Sequence, residues 1–182
     1  YKTIGWIMQT LSDYPEADYY LKRALKYCKP GSVNYAAILD NYGINLYKTR
    51  RYQEALKQFH KSGLIALKIN DSLRYAKTLG NKALVYEEQN KYAEAIQLLK
   101  EDIALSERLK ESKNKMFASI ALARIYLKNN NLSDAQAILT EAEKIAVSKS
   151  YFRKSELEII KLKLELLKRI PNANQELITT RR

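Results

Sequence analysis

Residues 52–55 read Tyr-Gln-Glu-Ala, and a segment of the same kind returns forty residues later as Tyr-Ala-Glu-Ala at 92–95 and again as Leu-Ser-Asp-Ala at 132–135. A shift of 38 residues in the other direction adds Tyr-Pro-Glu-Ala at 14–17. Because four copies keep the same internal spacing, we interpret the chain as an internal repeat of about forty residues. Each copy places an apolar residue four positions after its alanine: Leu21, Phe59, Leu99 and Leu139.

Each copy has the pattern of a helical hairpin. Its apolar residues step by three and four positions, as on one face of an α-helix, and short polar links divide it into two helices. The acidic residue of each quoted segment falls in the first turn of the second helix, where the helix dipole favours negative charge, and Pro15 suits the same turn. The pattern predicts first helices at 33–48, 72–88, 112–128 and 151–169, second helices at 14–28, 52–68, 92–110 and 132–149, and an earlier incomplete first helix at 2–11.

The ends of these helices can also be read from the sequence. Asp71 and Ser112 are the expected N-caps of two first helices. Pro171 is expected to end the last long helix, and residues 174–180 could begin another. We expect small residues of the first helices to face the alanines of the second helices and to let the backbones approach: Gly43, Ala83 and Ala123.

Composition limits the functional classes that remain. The 182 residues include only 5 Gly, 3 Pro, 1 Cys and 1 His. This excludes an intrachain disulfide framework, a multi-cysteine zinc site and a histidine-rich metal site. The isolated glycines form no phosphate-binding loop, and we predict neither an enzyme nor a cofactor or metal site. We also predict no membrane insertion within this segment, because no apolar stretch is long enough.

Six residues of one copy carry a family resemblance: Tyr42, Gly43, Leu46, Tyr52, Ala55 and Phe59. They resemble the tetratricopeptide repeat, whose first helix has a large apolar residue, then Gly or Ala, then Tyr or Leu, and whose second helix has aromatic-x-x-Ala-x-x-x-aromatic. The family's basic period is 34, so the forty-residue period resembles the extended subgroup found in bacterial regulators and adaptors. The match recurs at Ala83, Tyr86, Tyr92, Ala95 and Leu99, and at Leu122, Ala123, Tyr126, Leu132, Ala135 and Leu139.

The resemblance implies an all-α fold, an α-solenoid of antiparallel helical hairpins wound into a right-handed superhelix. We expect one repeat domain, taken from a longer chain, and the sequence does not decide its localisation. Its expected units are about 1–31, 32–70, 71–111 and 112–150, followed by a partial unit at 151–182.

In such a stack the first helices line the concave side, so their outward positions form the default ligand surface. Asn41 and Asn81 are the most specific signal, because asparagine is a poor helix-interior residue and its amide suits a peptide backbone. In the resembled family, groove asparagines often hold an extended ligand in this way. Cationic residues at Lys48, Lys77, Arg124 and Lys128 would favour an acidic ligand, and Tyr47 is a further candidate contact. Other positions read as outward-facing include Asp40, Glu87, Ile120, Ala121 and Leu127.

We therefore predict a scaffold that binds a protein or peptide in the groove, as the sensory or recruiting part of a bacterial regulator or adaptor. Self-association is the alternative, because the C-terminal helix carries more apolar residues than one buried face needs. Nucleic-acid binding is the least favoured function, since the net charge of +12 is spread evenly. A core pair between Lys82 and Asp102 is a separate hypothesis. The self-association residues would be Ile159, Ile160, Leu164 and Leu167.

Overall fold

The computed structural model describes residues 1–147 and 153–170. Within them all regular secondary structure is helical, which confirms the predicted all-α class. The predicted Pro171 stop and the helix at 174–180 lie outside the described residues. The helices are α1 (Lys2–Thr10), α2 (Tyr14–Tyr27), α3 (Val33–Lys48), α4 (Tyr52–Lys68), α5 (Ser72–Glu88), α6 (Tyr92–Arg108), α7 (Ser112–Lys128), α8 (Leu132–Val147) and α9 (Arg153–Arg169).

The chain forms two compact units, which divide between Lys91 and Tyr92. In the N-terminal unit, α1 packs on α2 and α3 packs on α4, while α3 also contacts α1 and α5. In the C-terminal unit, α7 packs on α6 and α8, and α9 contacts both α7 and α8. In each unit the odd-numbered helices are therefore neighbours in one layer, as expected for stacked antiparallel hairpins.

The tight links between helices share one backbone conformation. The second residue after the helix adopts a left-handed conformation, with φ between 57° and 63°, at Ser12, Arg50, Asn70, Asn90, Lys110 and Asn130. At Arg50 the amide donates to the Tyr47 carbonyl, and the next amide donates to the Leu46 carbonyl at 2.8 Å. These two bonds are a Schellman motif, which satisfies carbonyls at the helix end and reverses the chain within few residues.

Side chains cap several helix starts. Asp71 accepts a hydrogen bond from the Arg74 amide at 3.0 Å, as predicted, and Asp13 and Ser32 cap α2 and α3 in the same way. The prediction for Ser112 is wrong, because Ser112 is the first residue of α7 and Glu111 occupies the cap position. The register is set by the preceding turn at Lys110, which leaves Ser112 inside the helix.

The core of the N-terminal unit centres on Phe59, which is fully buried together with Leu21 and Leu46. Gly43 of α3 lies directly against this ring, and a Cβ at Gly43 would come within 2.7 Å of Phe59 Cδ1. The sequence predicted that Gly43 faces Ala55, whereas the atoms nearest to a Cβ at Gly43 all belong to the Phe59 ring. The absence of a side chain at position 43 makes room for an aromatic residue in the hairpin core.

Candidate peptide-binding surface

Five of the predicted site residues lie in the N-terminal unit. Asn41, Tyr47 and Lys48 lie on α3, and Lys77 and Asn81 lie on α5, the helix that contacts α3 in the same layer. The two lysines are exposed, and the other three side chains are half-buried. We call Asn41, Lys77 and Asn81 the amide surface.

The side-chain amides of Asn41 and Asn81 make no hydrogen bond to any residue that the structure describes. Other helical asparagines do. Asn45 is only 1% exposed, and its amide donates to the Tyr14 carbonyl at 3.0 Å. Asn114 donates to the Asp102 carboxylate at 2.6 Å. Asparagine destabilises a helix relative to alanine. At Asn41 and Asn81 no hydrogen bond within the described residues offsets this effect.

A salt bridge joins the two helices beside the amide surface. Arg74 Nη1 lies 2.9 Å from Oδ2 of Asp40, and Arg74 Nε also donates to Asp71 at 3.1 Å. The prediction that Asp40 faces outward is wrong, because Asp40 is only 8% exposed beneath Arg74. Burial raises the pKa of the Asp40 carboxyl, while the nearby Ser62 hydroxyl, the hydrogen bond from Arg74 and the charge of Lys77 oppose the rise. The positive charge of Lys77 therefore interacts electrostatically with the buried carboxylate of Asp40.

A second contact joins α3 and α5 near their C-terminal ends. The Tyr47 hydroxyl lies 3.4 Å from Oε1 of Glu88. The ammonium of Lys48 lies 5.6 Å from the centre of the Tyr47 ring. Tyr47 is thus held between an anion and a cation, and Glu88 makes this end less cationic than the lysines alone imply. Glu87, predicted to face outward, is buried.

Sequence reasoning missed Gln9, which contacts α3 from the neighbouring α1. Its amide donates to the Asn41 carbonyl at 2.7 Å and to Oδ1 of Asn45 at 3.4 Å. Gln9 belongs to the incomplete first repeat, so no later copy marks its position. It fixes the backbone of α3 at the residue that carries the first unpaired amide.

The two remaining predicted residues lie on α7 in the C-terminal unit. Arg124 Nη1 lies 2.8 Å from Oε1 of Glu158 on α9, so its charge is already paired. Lys128 is exposed at the end of α7. Ile120, Ala121 and Leu127, predicted to face outward, are buried. The prediction is wrong for these three, since α7 is packed against α6, α8 and α9, and Arg169 of α9 donates to the Leu127 carbonyl.

The apolar face proposed for self-association divides into buried and exposed parts. Ile159 is only 1% exposed and belongs to the interior of the C-terminal unit, so it does not face solvent. Ile160 and Leu164 are about half exposed, at 50% and 51%, and Leu157 is also exposed. The exposed residues follow helical spacing along one face of α9.

Asp102 is a buried carboxyl in the C-terminal unit, only 2% exposed. Its Oδ1 accepts hydrogen bonds from Ser106 at 3.1 Å and Asn114 at 2.6 Å. Burial raises its pKa to about 7, against the opposing effect of those two bonds. Lys82 is half-buried in the N-terminal unit, and its pairing with Asp102 stays a prediction.

Within the described residues, no cluster of His, Cys, Asp and Glu has the arrangement of a metal site. No described helix is long and apolar enough to cross a membrane. His60 is exposed on α4, and the thiol of Cys28 lies 3.6 Å from the Ser32 hydroxyl.

Solved structures with the same fold come from several sources. Repeats of a putative kinesin light chain from Podosopora anserina match with a TM-score of 0.73 and 18% identity, over 99% of this chain and 91% of that one. Apo RapI matches with a TM-score of 0.81 and 21% identity, over 98% of this chain and 64% of RapI. PilF of Pseudomonas aeruginosa gives a TM-score of 0.61 and 18% identity, over 98% of this chain and 80% of PilF. At these identities the likeness shows the fold.

Sequence comparison gives the family. Among curated proteins none matches this sequence. Two models of the tetratricopeptide repeat match, one at residues 34–108 and the other at 86–154. The two matches overlap and together cover most of the chain, in agreement with the stacked hairpins and the recurrent alanines. The chain belongs to the tetratricopeptide repeat family.

Proposed function

We propose that the N-terminal unit binds an extended protein segment on the amide surface, and that Asn41 and Asn81 hold the main chain of that segment. The observation that carries this proposal is the pair of unpartnered amides, one repeat apart on neighbouring helices. Tetratricopeptide repeats are non-catalytic scaffolds that generally bind proteins, so a ligand of this class agrees with the family.

The geometry of two neighbouring helices suits an extended chain. Packed helices lie about 8–10 Å apart, and an extended chain covers that distance in about three residues. Each asparagine amide offers one donor group and one acceptor, which are the groups a peptide bond complements. Asn41 and Asn81 can therefore engage two peptide groups of one ligand.

Charge favours an acidic segment. Lys77 and Lys48 are exposed on the two helices, and Glu88 is an exposed anion beside Tyr47 at the C-terminal end of α5. In the C-terminal unit, considered by itself, we propose Arg124 and Lys128 as cationic contacts for an acidic segment. A ligand carboxylate at Arg124 has to compete with Glu158, so we expect this contact to add little to affinity.

The test begins with selection of a binding peptide from a displayed library and titration calorimetry of that peptide. Replacing Asn41 and Asn81 together by alanine removes two pairs of main-chain contacts, so affinity should fall by about 10- to 100-fold. Asn34→Ala is the control, because Asn34 is an exposed asparagine on the same helix that accepts from Lys2. Affinity of the double variant within about twofold of the original protein would place the ligand elsewhere.

A second readout separates binding from structure. Because neither amide bonds to a described residue, the double variant should be as stable as the original protein, or more stable by about 0.5 kcal/mol for each replaced residue. Thermal unfolding monitored by circular dichroism measures this. A large loss of stability would mean that the amides serve the fold.

Self-association is a second candidate function, favoured by the exposed face of α9. Leu157, Ile160 and Leu164 together form an apolar stripe that a second copy could cover. If so, light scattering at high protein concentration should detect a dimer, and Ile160→Glu should return it to a monomer. A monomer at every concentration would remove this candidate.

We infer that such a binding module works as the sensing or recruiting part of a larger regulator or adaptor. The native coding sequence on either side of the chain tests this. A kinase, a DNA-binding domain or another effector in the same protein would support it, while the absence of any further domain would count against it.

A further inference from the structure

A cleft of about 410 Å³ lies between α6 and α8 in the C-terminal unit. These helices each pack on α7, and no direct packing joins them. Leu122 and Tyr126 of α7 form the floor, and the walls include Ile103 and Ile138. The cleft involves none of the residues of the amide surface, so it is independent of the function proposed above.

Two small side chains open this cleft. Ala104 lines it from α6 and Ala137 lines it from α8, and both are exposed. Forty residues earlier the corresponding positions carry Leu64 and Gln97. The preceding copy of the repeat therefore has larger side chains at these two positions. The small alanine side chains leave the space between α6 and α8 open.

The floor of the cleft contains an unpartnered polar group. Tyr126 is only 7% exposed and lines the cleft. Its hydroxyl makes no hydrogen bond to any residue in the described part of the chain. The buried atoms without a partner do not include this hydroxyl, so its oxygen is accessible from the open cleft, and a ligand group that reaches the floor can form a hydrogen bond with it.

The rim of the cleft is mainly acidic. Lys115 Nζ contacts Oε1 of Glu107 and Oε1 of Glu141 and so joins the two carboxylates at one end. Asp134 is the third carboxylate, and Lys100 is the lysine that lines the cleft itself. The second oxygen of Glu107 and of Glu141 does not contact Lys115 and can pair with a cation of a ligand.

We propose that this cleft binds a protein segment in which a bulky apolar side chain is followed two residues later by Arg or Lys. The apolar side chain enters between Ala104 and Ala137, and a main-chain carbonyl accepts from the Tyr126 hydroxyl. The cation pairs with Glu107 and Glu141, which lie about one helical turn beyond the alanines. Residues two apart in an extended segment project to the same side, about 7 Å apart, and the long side chain of Arg or Lys can span the difference of roughly 2 Å from one helical turn.

The test uses the full chain and the probe peptide acetyl-Ala-Trp-Ala-Arg-Ala-amide, followed by two-dimensional amide NMR. We expect saturable shifts at Ala104, Tyr126 and Ala137. The matched peptide with Glu in place of Arg should bind at least about tenfold more weakly, because it meets the carboxylates with a like charge. No shift at these residues with about 5 mM peptide, or equal binding of the two peptides, would overturn the proposal.

Variants then test the walls and the floor. Ala104→Leu and Ala137→Gln copy the preceding repeat at exposed positions, and each should abolish the shifts. Ala93→Leu adds the same side chain at an exposed position of α6 that does not line the cleft, and it should leave binding unchanged. Tyr126→Phe should weaken binding about threefold to tenfold. Binding that survives both cleft-filling variants would contradict the proposal.

Discussion

Arg74 of α5 lies 2.9 Å from Asp40 of α3 and joins the two helices that carry the amide surface. Both side chains are largely buried, and Arg74 is also held by Asp71. A salt bridge in such a place fixes the relative position of two helices more than it adds net stability, because each charge has lost its hydration. Its removal on one side leaves the other charge buried and unpaired.

Arg74→Met should therefore destabilise the protein by about 3 kcal/mol in urea unfolding. Loss of the arginine removes an influence that lowers the raised pKa of Asp40. Because a protonated Asp40 carries no charge to bury, the deficit should be larger at pH 8 than at pH 4. Arg108→Met, at an exposed arginine, is the control and should change stability by less than about 0.5 kcal/mol. Equal deficits at both pH values would contradict this account.

Asp102 should make the stability of the protein depend on pH. Its pKa is about 7 in the fold, above the ordinary value of 3.8, so the folded state binds the proton more tightly than the unfolded state. Its contribution is fully present below about pH 4 and is lost as the pH rises through 7. Asp102→Asn mimics the protonated carboxyl and should stabilise the protein at pH 8 by about 2–4 kcal/mol.

Denaturant unfolding between pH 4 and pH 8 measures this effect. Asp102→Asn should reduce the decline in stability across that range, while Asp40, whose pKa is also raised, still contributes to it. Glu94→Gln removes an equal charge from an exposed position on the same helix, and it should leave the decline in place. If Asp102→Asn behaves like Glu94→Gln, the Asp102 carboxyl is already ionised in the fold at pH 8 without cost.

Gly43 and Phe59 should be energetically coupled. A Cβ at position 43 would overlap the ring of the fully buried Phe59, so Gly43→Ala should cost about 1–3 kcal/mol by overpacking. In the C-terminal unit the corresponding positions are Ala123 and Leu139. Phe59→Leu combined with Gly43→Ala recreates that pair of residues. In thermal unfolding, the double variant should lose less stability than the sum of the losses of the two single variants. Simple additivity would mean that the backbone moves to accept the methyl group.

The helix positions could be predicted from the sequence because the same apolar and turn pattern recurs in each copy of the repeat. The same turn follows at Asn70, Asn90 and Asn130, and asparagine is among the few residues that tolerate the left-handed conformation there. The cap assigned to Ser112 is wrong, because this good cap residue lies one position too late, and the predicted helix ends at 11, 28 and 110 lie one or two residues too far along the chain. Local chemistry thus fixes these boundaries, and the repeat confirms them.

The surface was harder to predict because it depends on contacts between repeats. Asp40 is buried by Arg74, which lies 34 residues away and has no conspicuous pattern around it. Leu127 is covered by α9, whose sequence matches the repeat only weakly, and Glu158 pairs with Arg124 from that same helix. Periodicity tells which residues share a face of one helix, but the covering of that face is decided by the register of the next helix.

Lys110 tests the turn chemistry directly. It is an exposed residue with φ of 57°, a conformation in which a Cβ costs about 1 kcal/mol. The turn itself is secured by the bond from the Glu111 amide to the Ser106 carbonyl at 2.8 Å, which needs no side chain at position 110. Lys110→Gly should therefore raise stability by about 0.5–1 kcal/mol, since relief of the strain exceeds the added freedom of the unfolded chain.

Lys113→Gly is the matched control for that prediction. It removes the same side chain three residues later, in the first turn of α7, where glycine should cost up to about 1 kcal/mol. Thermal unfolding of the two variants should therefore shift in opposite directions from the original protein. If Lys110→Gly is as destabilising as Lys113→Gly, the lysine side chain itself supports the turn, and the left-handed backbone is not the source of strain.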